Sequence, residues 1–209
     1  KEWHASIEGG ASRYAFGEFG ASQQEMQAFW QRWGMPHEVC ARLASRAERV
    51  GGVWGDPETL ASRCRDLQEL LPLRPLTHLV SLYPDALAYR SGTLRSKLQL
   101  LSDALPRIDV VRMVANSPAI LSRSPELLRN RTAAFLPLLP RKDMAQLLAD
   151  NPDLLRFHPA VMESRSQALL KAFSAKSLLT ASAARIAHLL RLSTSRLERL
   201  QYLDTCYPG

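Results

Sequence analysis

Five cations recur along this chain at one interval: Arg63, Lys97, Arg131, Arg165 and Arg199 each lie 34 residues from the next. A row of like charges at a constant step complements a polyanion whose charges also repeat. The chemistry it offers is neutralisation of phosphates with release of their counterions. Arg95 and Arg129 begin a second row that Glu163 interrupts, and Arg107 and Arg141, joined by Lys142, begin a third. Arginine outnumbers lysine 22 to 5, and its planar fork suits phosphate oxygens. The first column also admits a structural reading, in which each cation pairs with an acid of the neighbouring segment. Asp109 and Asp143, again 34 apart, are placed for that.

Residues for bond-breaking chemistry are not assembled in this way. Cys40, Cys64 and Cys206 are widely spaced and read as reduced thiols, and His4, His37, His78, His158 and His188 form no ligand pair at helical spacing. No phosphate-binding glycine loop, nucleophile elbow or zinc-binding His-Glu-x-x-His occurs. The expectation is no catalytic residue, no metal, no cofactor and no small-molecule substrate. No stretch approaches the roughly 18 apolar residues of a membrane span, so no membrane is expected either.

The net charge of +7 is unevenly spread: residues 1–69 hold 8 Lys+Arg against 10 Asp+Glu, and residues 70–209 hold 19 against 10. With a sequence pI near 9.7, the second stretch has the electrostatic footprint of a nucleic-acid binder. Its aromatics, Tyr83, Tyr89, Phe135, Phe157 and Phe173, form no stacking column. That favours a structured nucleic acid recognised through shape and backbone over a single strand read base by base.

The elements that must position the cations follow the same interval. Leu-Pro opens three segments at Leu71-Pro72, Leu105-Pro106 and Leu139-Pro140, and Pro-x-x-Leu occupies their middles at Pro84–Leu87, Pro118–Leu121 and Pro152–Leu155. A repeat of this length marks stacked units of supersecondary structure. Between the prolines, Leu76, Val110 and Met144, then Leu79, Met113 and Leu147, then Val80, Val114 and Leu148 define one apolar helix face. The predicted first helix follows the opening proline, which occupies its first turn. The middle proline stops that helix and leaves at most one short turn through Pro-x-x-Leu. A second helix carries Leu94, Leu128 and Met162, then Leu101, Phe135 and Leu169, opened by Ser124-Pro125-Glu126 or His158-Pro159. The cation column sits three residues after Leu94, Leu128 and Met162, so it flanks the buried stripe by about 60°.

Repeats of two helices with a Leu-Pro opening and a central Pro-x-x-Leu resemble the mitochondrial transcription termination factor (mTERF) family. The resemblance covers roughly the last two-thirds of the chain. The Trp-x-x-Leu-Gly and Ala-x-x-x-Phe signatures of tetratricopeptide repeats are absent. The predicted fold is all-α, an α-solenoid or half-ring superhelix of about five helix-pair repeats of 34 residues, since one pair cannot bury both apolar faces alone. The resemblance implies an organelle nucleic-acid-binding protein, because its relatives bind DNA to arrest transcription or RNA in splicing and ribosome assembly. A short array with an aromatic arm favours RNA. The leading expectation is a protein that clasps structured RNA, specifically rRNA, as a component or assembly factor of the mitochondrial ribosome, beside ribosomal proteins. Its expected location is the mitochondrial matrix, with the chloroplast as alternative. Duplex DNA binding in organelle transcription is the second reading, and a protein-interaction scaffold the third.

The predicted organisation is an extended arm over 1–21, a cap helix and degenerate repeat over 22–69, and repeats over 70–209, divided 70–103, 104–137, 138–171 and 172–209. Ser22-Gln23-Gln24-Glu25 reads as a capping box for a helix burying Met26, Phe29, Trp30 and Trp33. In the degenerate repeat Leu60 and Leu67 keep the apolar columns, while Val50 and Val53 stand where the central Pro and Leu would fall. A proline-free last unit fits Ser177 to Asp204.

Overall fold

The computed structural model describes residues 21–139, 142–173 and 175–206, and among them every regular element is helical. The predicted arm, apart from Ala21, lies outside the described residues, as do Pro140 and Arg141. The chain divides into two units, 1–95 and 96–209, the boundary falling inside one helix between Arg95 and Ser96.

In the first unit the capping box forms as predicted. The Ser22 side chain accepts from the Glu25 amide, and the Glu25 carboxylate accepts from the Ser22 amide at 2.7 Å. It opens α1 (Gln23–Arg32), which buries Met26, Phe29 and Trp30; Trp33 is only half-buried. The Phe29 and Trp30 rings meet edge to face at 4.8 Å. Gly34, at φ 74°, ends the helix in a conformation that side-chain-bearing residues rarely adopt. Then come α2 (His37–Val50), a 3-10 turn (Gly52–Gly55) and α3 (Pro57–Leu70). These elements span the predicted degenerate repeat, and the residues at its centre differ from the expectation. Val50 is 61 % exposed and Val53 half-buried, whereas Trp54 fills the interior at 3 % exposure. Two glycines at positive φ, Gly51 and Gly52, make the break that proline makes elsewhere. The unit continues with α4 (Leu76–Leu82), a 3-10 turn (Pro84–Ala88) and the first turn and a half of α5 (Ser91–Ala104).

The second unit holds the rest of α5. There follow α6 (Val110–Asn116), a 3-10 turn (Pro118–Ser122), α7 (Pro125–Phe135), α8 (Met144–Asp150), a 3-10 turn (Pro152–Arg156) and α9 (Pro159–Ala172). Last come α10 (Ala175–Thr180), α11 (Ala183–Arg191) and α12 (Thr194–Cys206). Within this unit α6 packs on α8 and α8 on α11, while α7 packs on α9 and α9 on α12. First helix thus meets first helix in α6 and α8, second helices meet second, and α8 meets the segment α11 of the last unit.

The 34-residue columns are the core. Leu101, Phe135 and Leu169 are fully buried, as are Leu87 and Leu121, and Leu155 is 2 % exposed. Each Pro-x-x-Leu is a five-residue 3-10 turn. The residue before each proline, Tyr83, Ser117 or Asn151, takes an extended φ between −148° and −132°, which the proline ring imposes.

The opening prolines are corrected. Pro72 and Pro106 lie in turns before the helices, and the first helices are only seven residues long, beginning at Leu76, Val110 and Met144. Asp109 and Asp143 set two of those starts, their side chains accepting from the Arg112 and Gln146 amides at 3.0 Å each. The proline-free last unit differs too, for its middle segment grows into α11, nine residues long, capped by Ser182.

Candidate nucleic-acid interface

Three of the period-34 cations are taken up by main-chain oxygens. In the first unit Arg63 donates from Nη1 to the Tyr89 carbonyl at 2.8 Å. In the second, Arg131 donates to the Leu155 carbonyl and Arg165 to the Leu190 carbonyl at 3.1 Å, with the Arg165 guanidinium 4.4 Å above the Phe157 ring. All three side chains are half-buried, and Lys97 is 4 % exposed. Burial lowers the pKa of Lys97, and of Arg63 through burial first and the neighbouring Arg90 charge after it, with Asp66 opposing. Of this column Arg199 alone is exposed.

The structural reading therefore fits Arg63, Arg131 and Arg165, with a different acceptor from the one expected. Asp109 and Asp143 cap helices instead of pairing with the column, and main-chain oxygens take the cations. The physical reason is that the last carbonyls of a turn or short helix lack partners within the helix. A charged donor satisfies them without the desolvation of a second ion.

The remaining predicted residues divide. Arg95 pairs with Glu69 at 3.1 Å, both side chains more than half exposed, an arrangement that contributes little. Arg107 and Arg129 are exposed. Arg107 lines a shallow cavity of about 290 Å³ with Arg112, Asp109, Asp143 and Gln146. Lys142 is half-buried and donates from Nζ to the Ala181 carbonyl at 2.8 Å. Arg141 lies outside the described residues.

A different set of arginines is open to solvent at one recurring place. Arg90 follows the 3-10 turn of the first unit; Arg123 and Arg156 end the two 3-10 turns of the second, and Arg191 ends α11. All four are exposed. Their separations are 33, 33 and 35 residues, so a strict interval of 34 passes over them. A search allowing one residue of slip in the middle element would have found them.

Among the described residues no group of three His, Cys, Asp or Glu side chains converges as a metal site requires, and no helix is long and apolar enough to cross a membrane. Cys40 and Cys64 are buried, and burial pushes the Cys64 thiol up to about 12. No family model matches this chain, and no curated protein or solved structure matches it either.

Proposed function

We propose that the chain is an mTERF-like organelle protein, a solenoid of helix-pair repeats that clasps structured RNA through its backbone. The carrying observation is electrostatic. Residues 96–209 hold 16 Lys+Arg against 9 Asp+Glu, a net of +7, whereas residues 1–95 hold 11 of each. Much of that excess is exposed as arginine without a carboxylate partner among the described residues, including Arg107, Arg123, Arg129, Arg156 and Arg199. Such a surface binds a polyanion chiefly by counterion release.

The aromatic side chains support backbone contact over base stacking. Phe135 and Tyr89 are buried, and Tyr83, Phe157 and Phe173 are half-buried. A ribosomal RNA target in the mitochondrion is the form of this proposal that the repeat motif favours.

Competition at equal salt between a labelled RNA stem-loop and duplex DNA of the same length tests it. RNA is expected to displace DNA at lower concentration. Preference for the duplex would replace the RNA reading with one in organelle transcription. Binding to neither would remove the nucleic-acid reading altogether.

A further inference from the structure

We infer that Arg123, Arg156 and Arg191 form a phosphate-binding row in the unit 96–209, and that two half-buried arginines of the preceding helices, Arg131 and Arg165, position Arg156 and Arg191. The inference rests on the nucleic-acid reading above and gives it a site.

Each member stands at the close of the middle element of its helix pair: Arg123 caps Pro118–Ser122, Arg156 ends Pro152–Arg156, and Arg191 ends α11. All three are exposed. The ion pairs formed among the described residues, Arg46 with Asp85, Arg95 with Glu69 and Arg112 with Asp150, leave the row out. Glu126 and Asp153, the acids near Arg123 and Arg156 in sequence, are themselves exposed. Arg191 donates to the Asn151 side-chain oxygen at 3.4 Å, a neutral acceptor that leaves its charge uncompensated. Three unneutralised guanidinium forks at the close of successive middle elements match a ligand bearing several phosphates.

The positions are held from behind. Arg131 donates to the carbonyl of Leu155, the residue before Arg156, and Arg165 to that of Leu190, the residue before Arg191. A peptide group is planar, so fixing that oxygen fixes the plane that ends on the next Cα. The exposed arginine then leaves a restrained backbone, and less ordering remains to be done when a ligand arrives. The same arrangement recurs independently in the first unit, where Arg63 donates to Tyr89 and exposed Arg90 follows. The buried column and the exposed row are two halves of one device.

The test compares two charge-matched triple variants by fluorescence anisotropy with a labelled RNA stem-loop over a salt series. R123Q/R156Q/R191Q is expected to lose about tenfold or more in affinity and to flatten the log–log salt slope by about 2 to 3. R32Q/R49Q/R65Q, which removes the same charge from exposed positions of the unit 1–95, is expected to lose less than about threefold. Equal losses in both triples would overturn the row while leaving nucleic-acid binding intact. Wild-type affinity in R123Q/R156Q/R191Q would overturn the row alone, and no RNA binding by the wild type would overturn the functional reading as well. Poly-glutamate bound as tightly as RNA at equal salt would overturn the phosphate assignment.

For the positioning half, R131M and R156Q are combined in a double-mutant cycle on RNA affinity. The loss from R156Q is expected to shrink in the R131M background, and additive losses would overturn it. Should R131M not fold, R131K replaces it, because lysine keeps the charge and loses the fork.

Discussion

At the scale of single residues, Lys97 and Cys64 are buried groups whose proton equilibria pull stability in opposite directions at alkaline pH. Burial lowers the Lys97 pKa from 10.5, so its contribution is most favourable above about 10.5 and is lost as pH falls through the depressed folded value. Burial raises the Cys64 thiol from 9.0 to about 12, so its contribution is complete below 9.0 and is lost as pH rises through about 12. Urea unfolding of wild type, K97M and C64A from neutral to strongly alkaline pH separates them. K97M is expected to lack the alkaline gain and C64A the alkaline loss, and parallel curves for all three would contradict both. The column that holds Lys97 was legible in the sequence as a period, but its function was not. Its acceptors at Tyr89, Leu155 and Leu190 are main-chain oxygens, which every residue possesses and no side chain announces.

The elements were legible where apolar columns and prolines agree. Pro-x-x-Leu fixes each 3-10 turn, because proline forbids the helix before it and leucine is drawn into the core. Helix starts were less legible, because the opening prolines look like first-turn residues while Asp109 and Asp143 hold the amides that define the start. With only seven residues, α6 depends on its cap more than a long helix would. Asp109→Ala is therefore expected to lower stability by about 1 kcal/mol in urea unfolding, and Asp109→Asn to retain most of it. The exposed arginines were missed for a reason at this same scale. Arg90, Arg123 and Arg156 stand six, five and four residues after Pro84, Pro118 and Pro152, and the last middle element is the nine-residue α11, so the arginines slip against the interval that the core obeys.

For the whole molecule, charge and core are nearly separate systems. The ion pairs of the described residues are partly or largely exposed, so stability is carried by the buried Leu, Met and Phe columns. Raising salt from about 50 to 500 mM is expected to leave the urea midpoint nearly fixed while RNA affinity falls by orders of magnitude. A midpoint that moved in step with affinity would mean that the two systems are coupled. The clasp between a half-buried cation and a main-chain oxygen also bears on how such a chain can vary over generations. A side-chain acceptor would have to be inherited letter for letter, whereas here Tyr89, Leu155 and Leu190 serve alike. Substitution at the accepting position leaves the oxygen in place. The helix pairs can therefore drift far apart in spelling while keeping their spacing, and an ancestry written in such a chain persists as rhythm after its vocabulary has changed.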